Sequence, residues 1–466
     1  MKKNSPLPPS RQNQWGRLMI LLNILLGILV HAHPAFSQVP DSLPHLIKEG
    51  IEQNLVLKQR KISLENSLLA LKVSKSYFLP TTSFSGNYTT ANGGRAISIP
   101  IGDLLNPVYK SLNQLTQSNN YDPVQNQRVN FLPNNYYDVR LHTSLNIYNA
   151  DLNYAKKIQS EWISISQSEL DIYKRELVYE IKSAYFQYLN AHYALGIYQS
   201  GLGLVEKNLD LNQSLLKNGK GLPANILRIK GEREIVLAQL EEARVQEINA
   251  RAYFNFLLNR DLHQEIPLAN FQLGPSGSPD SLVADIGQRE ELKEIQYNQH
   301  VQQFSLDMKK AFWKPKINAF LDLGSQNSDF VVNSKSIFYL TGVQIDIPIF
   351  TGKRNTYAIQ LGKLSVNSAN LNLDYITSQL KLSALMAENE VKASYHNYQG
   401  SKAQFTASKS YFHLLDRGFR EGTNTLLEFL DARNQLTASE IQMNLRFYDY
   451  LKAQAHLERE TAAYSF

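Results

Sequence analysis

IEQNLVLK, residues Ile51–Lys58, and IGQREELK, residues Ile286–Lys293, are one stretch written twice. Aligned at an offset of 235 they share Ile, Gln, Leu and Lys, and the same offset carries Pro80 of YFLP onto Pro315 of FWKP. Further along the offset drops: Tyr148 falls on Phe350 at 202, and Gly219 on Gly422 and Leu227 on Leu430 at 203. The first copy therefore holds about 33 extra residues. They fall in Ala91–Asn135, a segment rich in Asn, Gln and Ser with four prolines, which reads as a long loop at a hairpin tip. A duplication of this kind sets the organisation before any element is assigned. The first repeat is expected over 38–270, a linker over 271–285 and the second repeat over 286–466. Each runs helix, strand, loop, strand, then a helical hairpin.

The hairpins are read from spacing. No proline lies between Pro133 and Pro223, between Pro223 and Pro267, or after Pro348. Within those gaps Leu177, Ile181, Ala184, Tyr188, Ala191 and Leu195 recur three and four apart, as do Leu430, Asn434, Thr437, Ile441, Leu445, Tyr448 and Leu451. That is helical periodicity. A helix from about Leu152 to Lys217 would be roughly 100 Å long, which requires coiled-coil partners along its length. Between the helices the period changes to two. Val139, Leu141, Thr143, Leu145 and Ile147 alternate with Arg140, His142, Ser144 and Asn146. Thr341, Val343, Ile345, Ile347 and Ile349 alternate with Gly342, Gln344, Asp346 and Pro348. Weaker alternation runs through Phe84–Tyr88 and Ile317–Leu323. Nine alternating residues suit a membrane-spanning strand with one face on lipid and one on water.

Composition narrows the classes. Hydrophobic residues make up 43% and charged residues 19% of the 466, and cysteine is absent. Disulfides, thiolate metal sites, a cysteine nucleophile and a lipidated N-terminal cysteine are thereby excluded. Residues 1–37 carry Lys2, Lys3, Arg11 and Arg17, then an apolar run LMILLNILLGILV from Leu18 to Val30, then Ala35-Phe36-Ser37. This is the pattern of a cleaved signal peptide. Without it the 48 basic groups fall to 44 against 42 acidic ones. A chain so nearly neutral has no electrostatic footprint for nucleic acid. No HExxH, GxSxG, Walker A or dinucleotide motif occurs, so no enzyme, metal or cofactor is expected.

Four strands per chain cannot close a barrel, and open strand edges are not tolerated in lipid. Oligomerisation solves this. Three chains would supply twelve strands, while two or four would also give even counts.

The order of elements and several motifs resemble the TolC-like outer membrane efflux proteins. The pieces are YFLP before the first strand, LNIYNADLN after the second, QREELK opening the second repeat, IDIPIFTGKR after the fourth strand and GFREGTNTLLEFLDARNQL at 418–436. The resemblance implies an α+β membrane protein. Its fold would be a trimeric channel-tunnel, with a 12-stranded β-barrel (four strands per chain) continued by an α-helical barrel through the periplasm of a Gram-negative cell. It implies a passive exit duct for a tripartite efflux pump or type I secretion system, partnered by a periplasmic adaptor, an inner-membrane RND or ABC transporter and outer-membrane lipid. Carried onto this sequence, the pore constriction falls on Glu428 and Asp431, three apart on a helix and so able to face one side. Closed-state contacts fall on Asn225, Phe419 and Asn424, where amides and a phenyl ring replace a charged pair and a tyrosine. The adaptor-docking turns fall on Gly219, Gly221, Gly422 and Thr423. The rival to a duct is a non-conducting envelope-spanning structural protein or adhesin, whose strand faces would pack shut.

Overall fold

Proline-free sequence becomes continuous helix. The structure, a computed structural model, describes residues 43–132, 134–268 and 286–466. The expected signal peptide over 1–37 and linker over 271–285 lie outside the described residues. In chain order the elements are α1 (Leu43–Gln53), α2 (Leu55–Ser76), β1 (Thr81–Thr89), β2 (Ala96–Ile99), α3 (Ile101–Leu115), β3 (Gln127–Asn130) and β4 (Tyr136–Tyr148). Then follow α4 (Ala150–Lys217), α5 (Pro223–Leu257), α6 (Glu290–Lys310), β5 (Lys316–Ser328), β6 (Ile337–Asp346), α7 (Arg354–Glu421) and α8 (Leu426–Glu460). Helices α4 and α7 each run 68 residues, and α5 and α8 each run 35. Pro223 opens α5 at its first turn, the one helical position where its missing N–H costs nothing.

The chain divides into two compact units. One takes the described residues of Leu55–Glu176, Leu282–Ala393 and Ala453–Phe466. Its centre is an antiparallel sheet in the order β1-β4-β5-β6, in which β1 and β6 each lack a partner on one side among the described residues. Register separates the faces. Leu141 stands opposite Phe84 and Leu323, and Val343 opposite Ala319; Phe84, Leu141, Leu321, Leu323, Tyr339, Val343 and Ile345 are all exposed. The other face holds Arg140, His142, Asn318, Asp322 and Gln344. There His142 Nδ1 lies 2.5 Å from Asp322 Oδ1, and Arg140 Nη2 lies 2.5 Å from Asp138 Oδ2. An apolar skin and an ion-paired reverse are what alternate residues were expected to supply.

Two expectations change in this unit. The strand read through Ile349 ends at Asp346, because Pro348 has no N–H for a ladder bond. The segment read as loop between β1 and β4 contains α3 and the β2–β3 pair. Asparagine side chains do the tying there. Asn106 bonds both the N–H and the C=O of Val124, and Asn113 does the same to Tyr121. Residues that mark loops in sequence thus hold a helix against the irregular segment that leads into β3.

QREELK is an ionic hub of the same unit. Arg289, 1% exposed, donates to Glu460 Oε2 at 2.6 Å and to Glu291 Oε1 at 2.6 Å. Arg175 clasps Glu290 through Nε at 2.8 Å and Nη2 at 2.6 Å. Burial pushes the Glu460 and Glu291 carboxyls up, but the hydrogen bonds and charges of their partners outweigh it and hold both below the usual range.

The second unit takes the described residues of Met1–Asn54, Leu177–Ser281 and Ser394–Lys452. The Leu177 stripe lines its interior: Leu177, Ile181, Ala184, Tyr188 and Ala191 are buried and Leu195 is half-buried, with Tyr185 and Leu189 buried beside them, and Tyr185 Oη donates to the Pro267 carbonyl at 2.7 Å. Toward the two helical turns a further cluster packs Val205, Ile229, Val236, Phe412, Leu426, Phe429 and Leu430 together. All four long helices contribute to it.

Candidate functional site

Both helical turns need a residue in the left-handed region. Gly219 has φ 72° and Gly422 φ 80°, where glycine alone carries no steric penalty. Each turn closes with reversed backbone bonds. Lys220 N–H donates to the Leu215 carbonyl at 2.8 Å, and Thr423 N–H to the Gly418 carbonyl at 2.8 Å. Gly221, in the first turn, is not left-handed. Its φ is ordinary, and it is needed for room, since a Cβ there would lie 2.6 Å from the Leu216 nitrogen. Thr423 adds a hydroxyl bond to the Gly418 carbonyl at 3.0 Å.

Glu428 opens α8 and works locally first. Its Oε2 accepts from the Thr425 N–H at 2.7 Å and from the Thr425 hydroxyl at 2.9 Å. The Glu428 N–H donates back to Thr425 Oγ1 at 3.3 Å, completing a reciprocal capping box. These bonds, led by the one from the backbone, hold its carboxyl below the ordinary value of 4.5. The spacing Thr425-x-x-Glu428 is the sequence signal for such a cap. Glu428 and Asp431 are both exposed, so two carboxylates sit on the solvent surface within a turn of each other.

The three positions expected as closed-state contacts go to different places. Phe419 packs into the apolar cluster, its ring 5.1 Å from that of Phe429. The Asn424 amide lies over Gly418, where a Cβ would come within 2.7 Å of it. Asn225 sits in the first turn of α5, its backbone N–H donating to the carbonyl of the N-cap residue Leu222 at 3.0 Å. What joins the two hairpins near their turns is a pair that sequence reading missed. Arg433 Nη2 of α8 lies 2.5 Å from Glu232 Oε1 of α5, with the arginine side chain 1% exposed. On the sequence each looks like an ordinary solvated helix charge; 201 residues separate them, and no local spacing couples them.

Comparison with known proteins follows from this geometry. Residues 286–462 match the family profile described as outer membrane efflux protein. The outer membrane protein TolC of Vibrio cholerae is 18% identical over 333 residues, covering 67% of this chain and 76% of that one. Among solved structures, the open state of the MtrE outer membrane channel of Neisseria gonorrhoeae has a TM-score of 0.71 at 16% identity, over 90% of this chain and 88% of that one. The CmeC outer membrane channel of Campylobacter jejuni has a TM-score of 0.69 at 15% identity, over 90% and 85%. At such identities the likeness speaks to the fold, a helical body joined to a β-domain.

Proposed function

We propose that this chain, a TolC-like outer membrane efflux protein, assembles as a homotrimer and serves as a passive exit duct through the outer membrane. In this reading it is an exported, two-repeat protein of a Gram-negative envelope. It carries no catalytic centre, and a periplasmic adaptor and an energised inner-membrane transporter complete the pathway. The observation that carries the reading is the sheet: four strands, one face apolar and exposed, the other ion-paired, with both edges unpaired. Such a sheet satisfies its backbone in lipid only by pairing edge to edge with copies of itself. A non-conducting spacer whose strand faces packed shut would not need the ion-paired polar reverse face.

At the turn end, Glu428 and Asp431 from each copy would place carboxylates around the aqueous path, favouring cations. The Asn225, Phe419 and Asn424 positions would then act through packing rather than charge, and the Gly219–Gly221 and Gly422–Thr423 turns would meet the adaptor.

Planar-bilayer conductance of the detergent-purified protein tests this. Cation-selective channels are expected, and Glu428→Ala with Asp431→Ala should lower both selectivity and block by multivalent cations. Because the capping bonds depress Glu428, its charge and the selectivity that depends on it should persist below pH 4.5 and be lost as the pH falls further. A folded trimer that never conducts would overturn the duct.

A further inference from the structure

Tyr109 on α3 and Tyr121 on the segment that returns from it line one cavity of about 670 Å³, a size within the range of ligand-binding sites. Their rings stand 5.7 Å apart and are tilted by 37°. Asn113 fixes the second of them, donating from Nδ2 to the Tyr121 carbonyl at 2.9 Å and accepting from its N–H at 3.2 Å. Asn106 grips Val124 in the same way at 3.0 and 2.8 Å, so the wall stands built before any ligand arrives. Further polar side chains of that wall are unspent. Among the described residues, Lys110, Gln114, Asn119 and Asp122 line the cavity and make no hydrogen bond or ion pair within the chain.

The lining limits what could enter. Among the described residues no leucine, isoleucine, valine, methionine or phenylalanine lines it, so an acyl chain or an aliphatic peptide side chain has nothing to bury against. Lys110 and Asp122 are one charge of each sign, which favours neither a phosphate nor a cation. Two aromatic rings among amides, a carboxylate and an ammonium suit a ligand with C–H bonds on its ring faces and hydroxyls around its rim. The electron-rich face of a tyrosine attracts polarised C–H bonds. A primary amide both donates and accepts, and a carboxylate accepts at two oxygens, so each can serve adjacent hydroxyls. The cavity also lies in the insertion that the second repeat lacks, so the duplicated fold does not require it.

We infer that the α3 insertion binds a short stretch of neutral glycan, its sugar faces on Tyr109 and Tyr121 and its hydroxyls on Lys110, Gln114, Asn119 and Asp122. The insertion joins the ends of β1 and β4 that are remote in the chain from α2 and α4. Under the outer-membrane reading, on which this step rests, that end of the sheet faces the cell exterior, where surface glycans are the ligands at hand. The binding itself stands on the cavity alone.

An array of neutral glucans, mannans and galactans, from single sugars to hexamers, printed beside sialylated and sulfated glycans, tests it when probed with the full chain in a detergent that carries no sugar. Retention of a neutral oligomer over single sugars is expected, because a pair of aromatic faces and the polar groups around them exceed what one sugar ring can engage. In isothermal titration of that oligomer, Tyr109→Ala plus Tyr121→Ala should weaken binding about tenfold. Gln114→Ala plus Asp122→Ala, which leaves the rings and the asparagine ties in place, should weaken it as well. Leu115→Ser, an exposed position of α3 outside the cavity, should bind as the parent does. No neutral oligomer retained, single sugars or charged glycans held as tightly, or affinity unchanged in both double variants would each overturn the site. Conductance of the same samples separates the two readings. Channels that conduct without binding any glycan sink the sugar site alone, and protein that binds glycan but never conducts sinks the duct.

Discussion

Arg433 carries a charge that the surrounding apolar cluster cannot solvate, and Glu232 is what makes it tolerable. Burial pushes the guanidinium pKa down while the Glu232 carboxylate pulls it back up, and Arg433 Nε is left without a partner. Removing one member of a buried pair strands the other, typically at about 3 kcal/mol or more, whereas replacing both by apolar groups is often close to neutral. Glu232→Leu should therefore lower unfolding stability by about 3 kcal/mol, with Glu232→Leu plus Arg433→Leu recovering most of it. Denaturant titration of the single and double variants measures the difference. Equal losses in both would show that the salt bridge does not couple α5 to α8. The result also bears on how the two hairpins are held together, because this pair links α5 of the first to α8 of the second, whereas the Phe419–Phe429 contact lies within the second.

Glycines in the turns separate two physical demands that sequence cannot tell apart. Gly422→Ala forces an L-residue to φ 80° and should cost about 1–2 kcal/mol. Gly221→Ala meets backbone at 2.6 Å and so should disturb its turn more. Melting temperatures and adaptor affinity measured on the two variants should rank them in that order; the reverse ranking would mean that the first turn is free to open. Long helices and paired strands were readable because proline exclusion and a period of 3.6 or 2 extend over many residues. α3 was not, since Pro107 and its asparagines carry the marks of a loop, and only their bonds to Val124 and Tyr121 reveal a packed helix. The Thr425–Glu428 cap lay in plain sight as a spacing. The Arg433–Glu232 pair was hidden by distance along the chain, as buried ion pairs between remote helices generally are.

Exposed leucines on α7 leave an account open that a single chain cannot settle. Leu361, Leu364, Leu371, Tyr375, Leu382 and Leu385 are exposed. Steps of three, four and seven place them on one coiled-coil seam, with Ser368 and Ser378 filling the remaining positions. On α2, Leu55, Ile62 and Leu69 repeat the seven-residue step, also exposed. Apolar seams of this length in water call for another helix, and the unpaired edges of β1 and β6 call for another strand. A ring of identical copies answers both demands at once, whereas a lone chain answers neither. Leu364→Glu plus Leu371→Glu buries two carboxylates per interface in such a ring, so the assembly should shift from trimer to monomer in light scattering of the detergent-solubilised protein. Conductance should vanish with it. A trimer that survives these substitutions would mean that strand edges, not helix seams, set the stoichiometry, and deleting the edge pairing of β6 with Val343→Pro should then be the change that breaks it.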